Sequence, residues 1–338
     1  MPEQATGSRG QPGSRIIGTG HYLPEKVLTN QDLEKVMDTS DEWISSRTGI
    51  RQRHIAAPEE ATSDMATHAA RAALQAAGIT AKDLDLIIVG TISPDLPMPS
   101  AAVFVQRNLG TRKDCPAFDL SAACAGFIYG LSIADAFVRT GAAKYVLVVG
   151  VELLSRIIDW SDRGTCVLFG DGAGAVVVGP ASGDGRGIVS THIFADGSMI
   201  DALKIPGGGS RMPFSQEVLD KKLHLVHMVG MDVFKFAVKA LTASVQKALA
   251  ANQMAPGDVD WVIPHQANVR ILDAVQARTG IARERFFINI DQTANTSSAS
   301  VPIALDQAVR AGKVVPGQSL VFCALGGGIA WGSALVRW

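Results

Sequence analysis

The chain has 338 residues, of which 47% are hydrophobic and 19% charged, so it can form a large core with little disorder. Its formal net charge of −1 argues against nucleic acid or an anionic membrane as a partner. Apolar runs stay shorter than about 18 residues, so we expect no membrane span. Its four cysteines show no metal-binding spacing, which predicts no metal site and fits a reducing cytoplasm.

The first segment, residues 1–15, is rich in Gly, Ser and Gln and lacks the apolar core of a signal peptide. We expect a flexible tail there. After it, buried apolar strands alternate with helical stretches, which predicts an α/β fold with mixed sheets. The pattern divides into two similar halves, residues 16–180 and 187–338.

The repeat is visible in corresponding strands. An acidic turn followed by an apolar strand occurs at 83–91 and again at 258–265. The apolar segments 116–120 and 286–290 come next and are expected to be equivalent strands. Each half then closes with a Gly-rich turn and a final strand, so we expect a duplicated βαβ architecture.

Cys124 lies where one of these strands gives way to a helix, and its neighbours Ala122, Ala123 and Gly126 are small. The unpaired N–H groups and the dipole at a helix N-terminus favour a thiolate. We therefore expect a lowered pKa and a nucleophile for acyl transfer. A lone cysteine is more often a buried structural residue, and that alternative stays open at this point.

Two later residues are candidates for the same site. His265 ends an apolar strand and begins a turn into a helix, where one ring nitrogen can face a cavity. Asn295 aligns with Cys124 in the repeat, because they lie equally far before Gly312 and Gly141. Pseudo-twofold packing of the halves would bring both helix N-termini to one centre. Taken singly, His265 is equally a surface or core histidine, and Asn295 an ordinary helix cap.

In this order and context, Cys124, His265 and Asn295 resemble the Cys-His-Asn triad of the β-ketoacyl-acyl-carrier-protein synthase III family, in the thiolase superfamily. The similarity extends over residues 16–338. It is carried by segments 16–24, 38–44, 47–51, 162–165, 169–175 and 326–328. The resemblance implies a thiolase-like fold, in which two pseudo-symmetric βαβ halves form a layered αβαβα body with mixed sheets.

The resemblance implies an acyltransferase that performs a decarboxylating Claisen condensation in fatty acid biosynthesis. Cys124 would take an acyl group, expected to be acetyl, from acyl-CoA and transfer it to malonyl-acyl-carrier protein. The N–H groups of Cys124 and Gly327 would form the oxyanion hole. His265 and Asn295 would donate hydrogen bonds to the thioester enolate. Neither a metal nor an organic cofactor is implied.

Further residues are implied to bind the substrates. Those implied to contact CoA are Thr39, Trp43, Arg47 and Arg163. Lys235 and Arg270 are the implied docking positions for the acidic carrier protein. Met228 and Phe234 are expected to belong to the core instead of the site.

A homodimer is expected. The segments 84–91, 116–120 and 145–151 are apolar throughout, which suits deeply covered sheets. The resemblance implies an interface that joins the sheets and carries Met98 into the acyl pocket of the partner subunit. Met98 is thus the implied limit of the acyl chain.

Three positions depart from the family pattern. Ala294 stands where glycine is frequent, and an alanine there is strained if the position needs a positive φ. Met231 stands where some members have asparagine, and Met98 where some have a large aromatic residue. Because methionine is flexible, the acyl-chain preference stays open. The alternative function is a related thiolase-fold ketosynthase with a longer-chain or secondary-metabolite acyl donor.

Overall fold

The structure, a computed structural model, describes residues 13–338. Its strands are β1 (Ser14–Tyr22), β2 (Lys26–Thr29), β3 (Gln52–Ile55), β4 (Leu86–Gly90), β5 (Ala117–Leu120), β6 (Val146–Glu152), β7 (Gly172–Pro180), β8 (Gly187–Ala195), β9 (Leu203–Lys204), β10 (His227–Met228), β11 (Trp261–Pro264), β12 (Ser319–Gly326) and β13 (Ala330–Arg337). Its helices are α1 (Asn30–Glu34), α2 (Asp41–Thr48), α3 (Thr62–Ala77), α4 (Ala101–Leu109), α5 (Gly126–Arg139), α6 (Gln216–Asp220), α7 (Gly230–Ala251), α8 (Val269–Thr279), α9 (Ile290–Thr293) and α10 (Ser300–Arg310). The predicted α/β class is confirmed.

Most of the predicted tail, residues 1–12, lies outside the described residues. Its end does not fit the prediction, because Ser14 and Arg15 belong to β1 and pair with Pro180 and Gly179 of β7. Ser14 is buried and donates a hydrogen bond to Asp135. Strand β1 therefore begins two residues earlier than the sequence predicts.

Two mixed sheets carry the fold. The first has the order β1-β7-β6-β4-β5 and the second the order β11-β12-β13-β8. In each, the middle strands of the half pair in parallel. The last strand of the half pairs antiparallel on both sides, with the first strand of the half and with the strand that precedes it in sequence. The change of sheet falls between Pro180 and Gly187.

The expected strand at 286–290 is wrong. Phe286 makes only an isolated parallel bridge to Val262, and α9 already begins at Ile290. The side chain of Gln266 explains this. Its Nε2 donates to the carbonyl of Phe287, and its Oε1 accepts from the N–H of Asn289. A side chain thus takes the hydrogen bonds that a neighbouring strand would need.

Both faces of the first sheet are covered. Along β4, Leu86 and Ile88 join one hydrophobic cluster, whereas Ile87 and Val89 join another on the opposite face. This alternation follows from the two-residue period of a strand, and it explains why the sequence is apolar at every position.

The helices form layers around the sheets. Helices α5 and α10 contribute to the central cluster with side chains such as Phe127, Leu131 and Leu305, and this cluster includes strands of both sheets. Helices α3 and α4 cover the outer face of the first sheet, and α7 and α8 cover that of the second. The resulting order is helix, sheet, helix, sheet, helix. Within residues 13–338, every helix is too short or too polar to cross a bilayer.

The two central helices begin in the same way. Each follows a 3₁₀ turn whose first residue has a positive φ, +45° at Ala123 and +49° at Ser297. This match pairs Cys124 with Ser298, and it corrects the pairing of Cys124 with Asn295 that the sequence predicts. The shift arises because α10 has 11 residues and α5 has 14, so the second helix starts about one turn later.

The starts of α5 and α10 nevertheless meet, as the sequence predicts. A Cβ atom placed on Gly126 would lie 3.3 Å from Cβ of Ser298, and one placed on Gly150 would lie 2.2 Å from its carbonyl oxygen. Only residues without a side chain permit this approach. The contact brings both helix N-termini to one centre between the sheets.

Candidate active site

Cys124 lies in the 3₁₀ turn Ala123–Ala125, which connects the end of β5 to α5. The side chains of Ala122 and Ala125 beside it are small and buried, and Cys124 itself is 7% exposed. The sulfur is therefore reached through cavities and not from the open surface.

Burial raises the pKa of Cys124 to about 12; the neighbouring Ser297 side chain opposes the shift, and the charge of Glu152 raises the pKa further. The lowered pKa predicted from the sequence is therefore wrong. The cause is tertiary, because the second half of the chain covers this helix N-terminus and removes water from it.

His265 follows the last residue of β11, and its N–H donates to the carbonyl of Cys323 at 2.7 Å. The side chain is 2% exposed, and burial lowers its pKa to about 3, so the imidazole is neutral near pH 7. Its Nδ1 lies 2.6 Å from Oγ of Ser300 at the start of α10. The backbone N–H of Gln266 also donates to this hydroxyl, at 3.4 Å.

These contacts assign the histidine tautomer. Among residues 13–338, Nδ1 of His265 is the one acceptor within hydrogen-bonding distance of the Ser300 hydroxyl, so we assign the Ser300 proton to this contact, while the Gln266 N–H donates to the same oxygen. The imidazole then carries its hydrogen on Nε2, which acts as a donor. In this tautomer His265 can stabilise a negative oxygen but cannot accept a proton.

Asn295 is fixed in the same manner. Its N–H donates to the carbonyl of Leu168 at 2.9 Å, and its carbonyl accepts from the N–H of Gly170 at 3.1 Å. Its side-chain Oδ1 accepts from the N–H of Ser297 at 2.8 Å. The amide oxygen is therefore occupied, and Nδ2 remains as the donor.

Ala294, directly before Asn295, has φ +56° and ψ −159°. This conformation is almost confined to glycine, so the alanine is strained. The structure thus answers the condition raised by the sequence: this position does need a positive φ. Strain next to Asn295 fixes the turn that presents its side chain.

A cavity of about 270 Å³ brings the three candidates together, because Cys124, His265 and Asn295 all line it. Met228 and Phe234 also line this cavity. Their expected placement in the core alone is wrong, although Phe234 packs partly against the core as well. Helix α7, which begins at Gly230, supplies Phe234 to the cavity that contains Cys124, and β10 supplies Met228.

The outer part of the same cavity is lined by Trp43 and Arg47 from α2. This helix begins after Ser40, whose hydroxyl caps it by accepting from the Trp43 N–H at 3.0 Å. The guanidinium carbons of Arg47 and Arg163 lie 4.8 and 5.2 Å from the Trp43 ring centroid. Arg163 also forms an ion pair with Asp38 at 3.2 Å. A cationic aromatic cluster therefore marks the entrance.

The remaining residues predicted to bind substrates lie around this entrance or near it. Arg270 lines the cavity at the first turn of α8. Lys235 is exposed on α7, and Met231 is 71% exposed on the same helix. The hydroxyl of Thr39 is buried and has no hydrogen-bond partner among residues 13–338.

The glycine turn between β12 and β13 approaches Cys124 closely. A Cβ atom on Gly326 would lie 2.6 Å from the backbone nitrogen of Cys124. The next residue, Gly327, shares a second cavity with Cys124, and a Cβ there would lie 3.1 Å from Leu203. This arrangement leaves room for a small oxygen atom near the Cys124 N–H.

This second cavity measures about 530 Å³ and is lined by Cys124 together with apolar side chains, including Ile92, Leu203 and Val226. Met98 is not among its lining residues and is 83% exposed on the surface of the chain. Within a single chain, the predicted acyl-limiting residue thus lies outside the acyl-sized cavity.

Sequence reasoning missed Glu152, Ser297 and Ser300. Glu152 gave one signal, since an acidic residue ends the otherwise apolar strand β6. It is fully buried. Ser297 and Ser300 gave no sequence signal of function, because serine is common as a capping residue at the start of a helix. Their contacts with Glu152 and His265 depend on packing between the halves.

Family models match the chain in three places. The model of 3-oxoacyl-[acyl-carrier-protein (ACP)] synthase III matches residues 118–197, and that of its C-terminal part matches 249–338. A model of stage V sporulation protein AD matches residues 6–153. The first two cover the segments that carry Cys124, His265 and Asn295.

The chain is 56% identical over 325 residues to the β-ketoacyl-[acyl-carrier-protein] synthase III of Xanthomonas campestris pv. campestris, covering 96% of this chain and 98% of that relative. A crystal structure of 3-oxoacyl-[acyl-carrier-protein] synthase III from Aquifex aeolicus is 47% identical and has a TM-score of 0.90, covering 96% of this chain and 100% of the other. The priming β-ketosynthase of the R1128 polyketide pathway is 35% identical, with a TM-score of 0.88 and 98% coverage of both chains. These similarities confirm the thiolase-like fold. The chain therefore belongs to the β-ketoacyl-[acyl-carrier-protein] synthase III family of condensing acyltransferases.

Proposed function

We propose that this chain initiates fatty acid synthesis by a decarboxylating Claisen condensation of an acyl-CoA with malonyl-acyl-carrier protein, through a thioester on Cys124. Family membership supports the reaction class. The observation that carries the proposal is that Cys124 lies where two cavities meet. One cavity also contains two fixed hydrogen-bond donors, and the other is apolar.

In the first half-reaction, the sulfur of Cys124 attacks the thioester carbonyl of acyl-CoA. The new bond joins this sulfur to the acyl carbon, and the bond between that carbon and the CoA sulfur breaks. Negative charge develops on the carbonyl oxygen. The N–H groups of Cys124 and Gly327 are the proposed donors, since both residues line the second cavity.

In the second half-reaction, the malonyl group loses CO₂ and leaves an enolate. The amide Nδ2 of Asn295 and Nε2 of His265 are the donors available to its oxygen, because hydrogen bonds from Ser297 to Asn295 and from Ser300 to His265 fix their orientation. The enolate carbon attacks the acyl-Cys124 carbonyl, and Cys124 departs as the 3-ketoacyl product forms. A neutral imidazole suits this role, since it donates without carrying charge.

The entrance fits CoA. An adenine can stack on Trp43, and Arg47 can reach the phosphates. Arg163 stacks on Trp43 in this structure at 5.2 Å, so it must leave the ring before adenine can lie between them. Thr39, whose buried hydroxyl has no partner within the described range, is proposed to serve the same substrate. Arg270 and the exposed Lys235 are proposed to receive the acidic carrier protein.

The apolar cavity is proposed to hold the acyl group. Its volume of about 530 Å³ exceeds what an acetyl group fills, and this favours the alternative of a longer acyl donor as a second candidate.

Met98 is proposed to close the pocket of a partner subunit. Such a homodimer is supported by exposed apolar side chains beside the edge strand β5, namely those of Leu96, Met98, Val103 and Phe118. We place the enzyme in the cytoplasm, where a cysteine nucleophile stays reduced.

Intact mass spectrometry after mixing with a panel of straight and branched acyl-CoAs tests the proposal. A shift of one acyl group should appear and should be absent in Cys124→Ala. Adding malonyl-acyl-carrier protein should then discharge the acyl group as a 3-ketoacyl product. Stoichiometric acylation of Cys124→Ala would refute the assignment, and the longest accepted chain would decide between the two donors.

A further inference from the structure

Arg53 is an arginine of strand β3 with no exposed surface. Within residues 13–338, every hydrogen bond of its guanidinium goes to a neutral acceptor: the carbonyl of Leu28 at 3.2 Å, Oδ1 of Asn30 at 2.9 Å and the carbonyl of Val167 at 2.8 Å. Its Nε is also buried and has no partner within the same range. A cation held this deeply by neutral acceptors is costly, so its position calls for an explanation.

One of these bonds leads to α2, the helix that carries Trp43. The amide nitrogen of Asn30 donates to Oδ1 of Asp41, the first residue of α2, and to the carbonyl of Ile50, two residues past its end, both at 2.8 Å. Asn30 therefore holds α2 at both ends. Because Oδ1 of Asn30 accepts from Arg53, the amide presents its nitrogen, and not its oxygen, to the helix.

Another bond leads to the segment that carries Arg163. This entrance segment, residues 162–168, is closed on itself by backbone hydrogen bonds of 3.0–3.1 Å. Val167 belongs to it, accepts from Arg53 through its carbonyl and lines the cavity that contains Cys124. Val167 is buried, whereas the side chain of Arg163 is 49% exposed. Arg53 therefore fixes the buried end of a segment whose other end lies at the surface.

Arg53 is thus the shared contact of the two pieces of chain that form the entrance. Trp43 belongs to α2 and Arg163 to the entrance segment, and their side chains meet at 5.2 Å. Apolar side chains of both pieces also share one hydrophobic cluster, but such packing is non-directional. The guanidinium is directional, because its Nη1 holds Asn30 and its Nη2 holds Val167 in one fixed plane.

We propose that Arg53 is a positioning residue for acyl-CoA, which sets the separation between Trp43 and the entrance segment and so the fit of the nucleotide part of CoA. Arg53 does not line the cavity itself, so it acts through the residues that do. An error in this separation weakens binding at the nucleotide and leaves the chemistry at Cys124 unchanged. The inference rests on the proposed function, in which the adenine enters between Trp43 and Arg163.

The side chain keeps its charge in this position. Burial lowers the pKa of Arg53 to about 10, which still leaves the guanidinium protonated near pH 7. Hydrogen bonds from a charged donor are shorter and about twice as strong as those between neutral groups. A buried lysine would lose its proton more readily and has no planar fork, so it cannot replace Arg53.

Two thioesters separate positioning from folding. Acetyl-CoA carries the nucleotide, whereas S-acetylpantetheine ends before it, and both present the same acetyl group to Cys124. In Arg53→Lys, the second-order rate of self-acylation by acetyl-CoA should fall about tenfold or more, because the single ammonium cannot hold both acceptors. The rate with S-acetylpantetheine should change less than about twofold, since this substrate makes no contact with the nucleotide site. Intact mass follows both reactions.

Asn30→Asp supplies a second variant. Its carboxylate still accepts from Arg53 and compensates the buried charge, which favours folding, but it cannot donate to Asp41 and Ile50. The same selective loss with acetyl-CoA is expected. Arg156→Lys is the matched control, because Arg156 also donates to three backbone carbonyls but does not line the cavity. Both of its rates should match the wild type.

The ratio of the two rates decides the outcome. A ratio that stays at the wild-type value in both Arg53→Lys and Asn30→Asp, whether the rates fall or not, would overturn the proposal, because a merely structural role lowers both rates alike. A wild type that accepts the two thioesters equally well would overturn it as well. If neither thioester acylated Cys124 of the wild type, the proposed function itself would fail, and this inference with it.

Discussion

The N–H of Ser297 donates to Oδ1 of Asn295 at 2.8 Å. This bond occupies the only acceptor of the Asn295 side chain and leaves its Nδ2 as a donor toward the cavity. The same serine donates its hydroxyl to Glu152. Ser297 thus connects the residue proposed to stabilise the enolate with the buried carboxylate of Glu152.

Asn295→Asp should separate the two half-reactions. The new carboxylate can still accept from the Ser297 N–H, but it presents a second negative oxygen where the enolate needs a donor. Malonyl decarboxylation should fall on the order of a hundredfold or more, while self-acylation changes only a few-fold. Released CO₂ and the acyl-enzyme mass measure the two steps. Equal losses in both would contradict the assigned role.

Ser300→Ala should free the tautomer of His265. Without the 2.6 Å contact, the hydrogen is no longer held on Nε2. A hydrogen bond is worth about 1 kcal/mol, so decarboxylation should slow about five- to tenfold. Imidazole ¹⁵N shifts should change from one tautomer to a mixture. Ser333→Ala, which removes a buried hydroxyl bonded to the Ser244 carbonyl, is the control and should leave these shifts unchanged.

The resting thiolate should be undetectable. Because the pKa of Cys124 is raised to about 12, almost no thiolate exists near neutral pH. Burial also raises the pKa values of Cys115, Cys166 and Cys323. Ultraviolet thiolate absorbance of the native protein should therefore stay flat from about pH 6 to 9 and match that of Cys124→Ser. A step present only in the wild type would mean that the helix N-terminus outweighs burial.

Ala294→Gly should stabilise the protein. At φ +56° and ψ −159°, the strain of an alanine is about 1–3 kcal/mol, whereas the added entropy of an unfolded glycine costs about 0.5–1 kcal/mol. The Tm should rise by about 2 °C in a thermal melt. Ala311→Gly, at a position with φ −75°, is the matched control and should lower it. A fall in both variants would show that the turn carries no relievable strain.

The fold was largely predictable because its signals are local. Successive side chains of β4 enter two hydrophobic clusters on opposite faces of the sheet, so every position must be apolar. This pattern is visible in the sequence. The contact between the two helix starts followed from the repeat. The exact pairing did not, since the shorter α10 places Ser298 where the alignment puts Asn295.

The chemistry of the site was less predictable because it depends on contacts between the halves. The pKa of Cys124 follows from what covers it, and Glu152 comes from a strand remote from Ser297 in sequence. The side chain of Gln266 likewise replaces a strand that the apolar residues after Phe286 indicate. Spacing and propensity contain no information about such long-range hydrogen bonds.

Phe118→Asp should dissociate the proposed homodimer. The side chain of Phe118 is 36% exposed on β5, a strand that within residues 13–338 pairs on one side only, and Val103 on the neighbouring α4 is 39% exposed. A carboxylate buried against a second copy would have no partner, so the dimer should weaken strongly. Light scattering should fall from twice 35.6 kDa toward 35.6 kDa. Val315→Asp, at another exposed apolar residue far along the chain, should leave the mass unchanged. A wild-type chain that is already monomeric and active would refute the dimer and, with it, the placement of Met98 in a partner's acyl pocket.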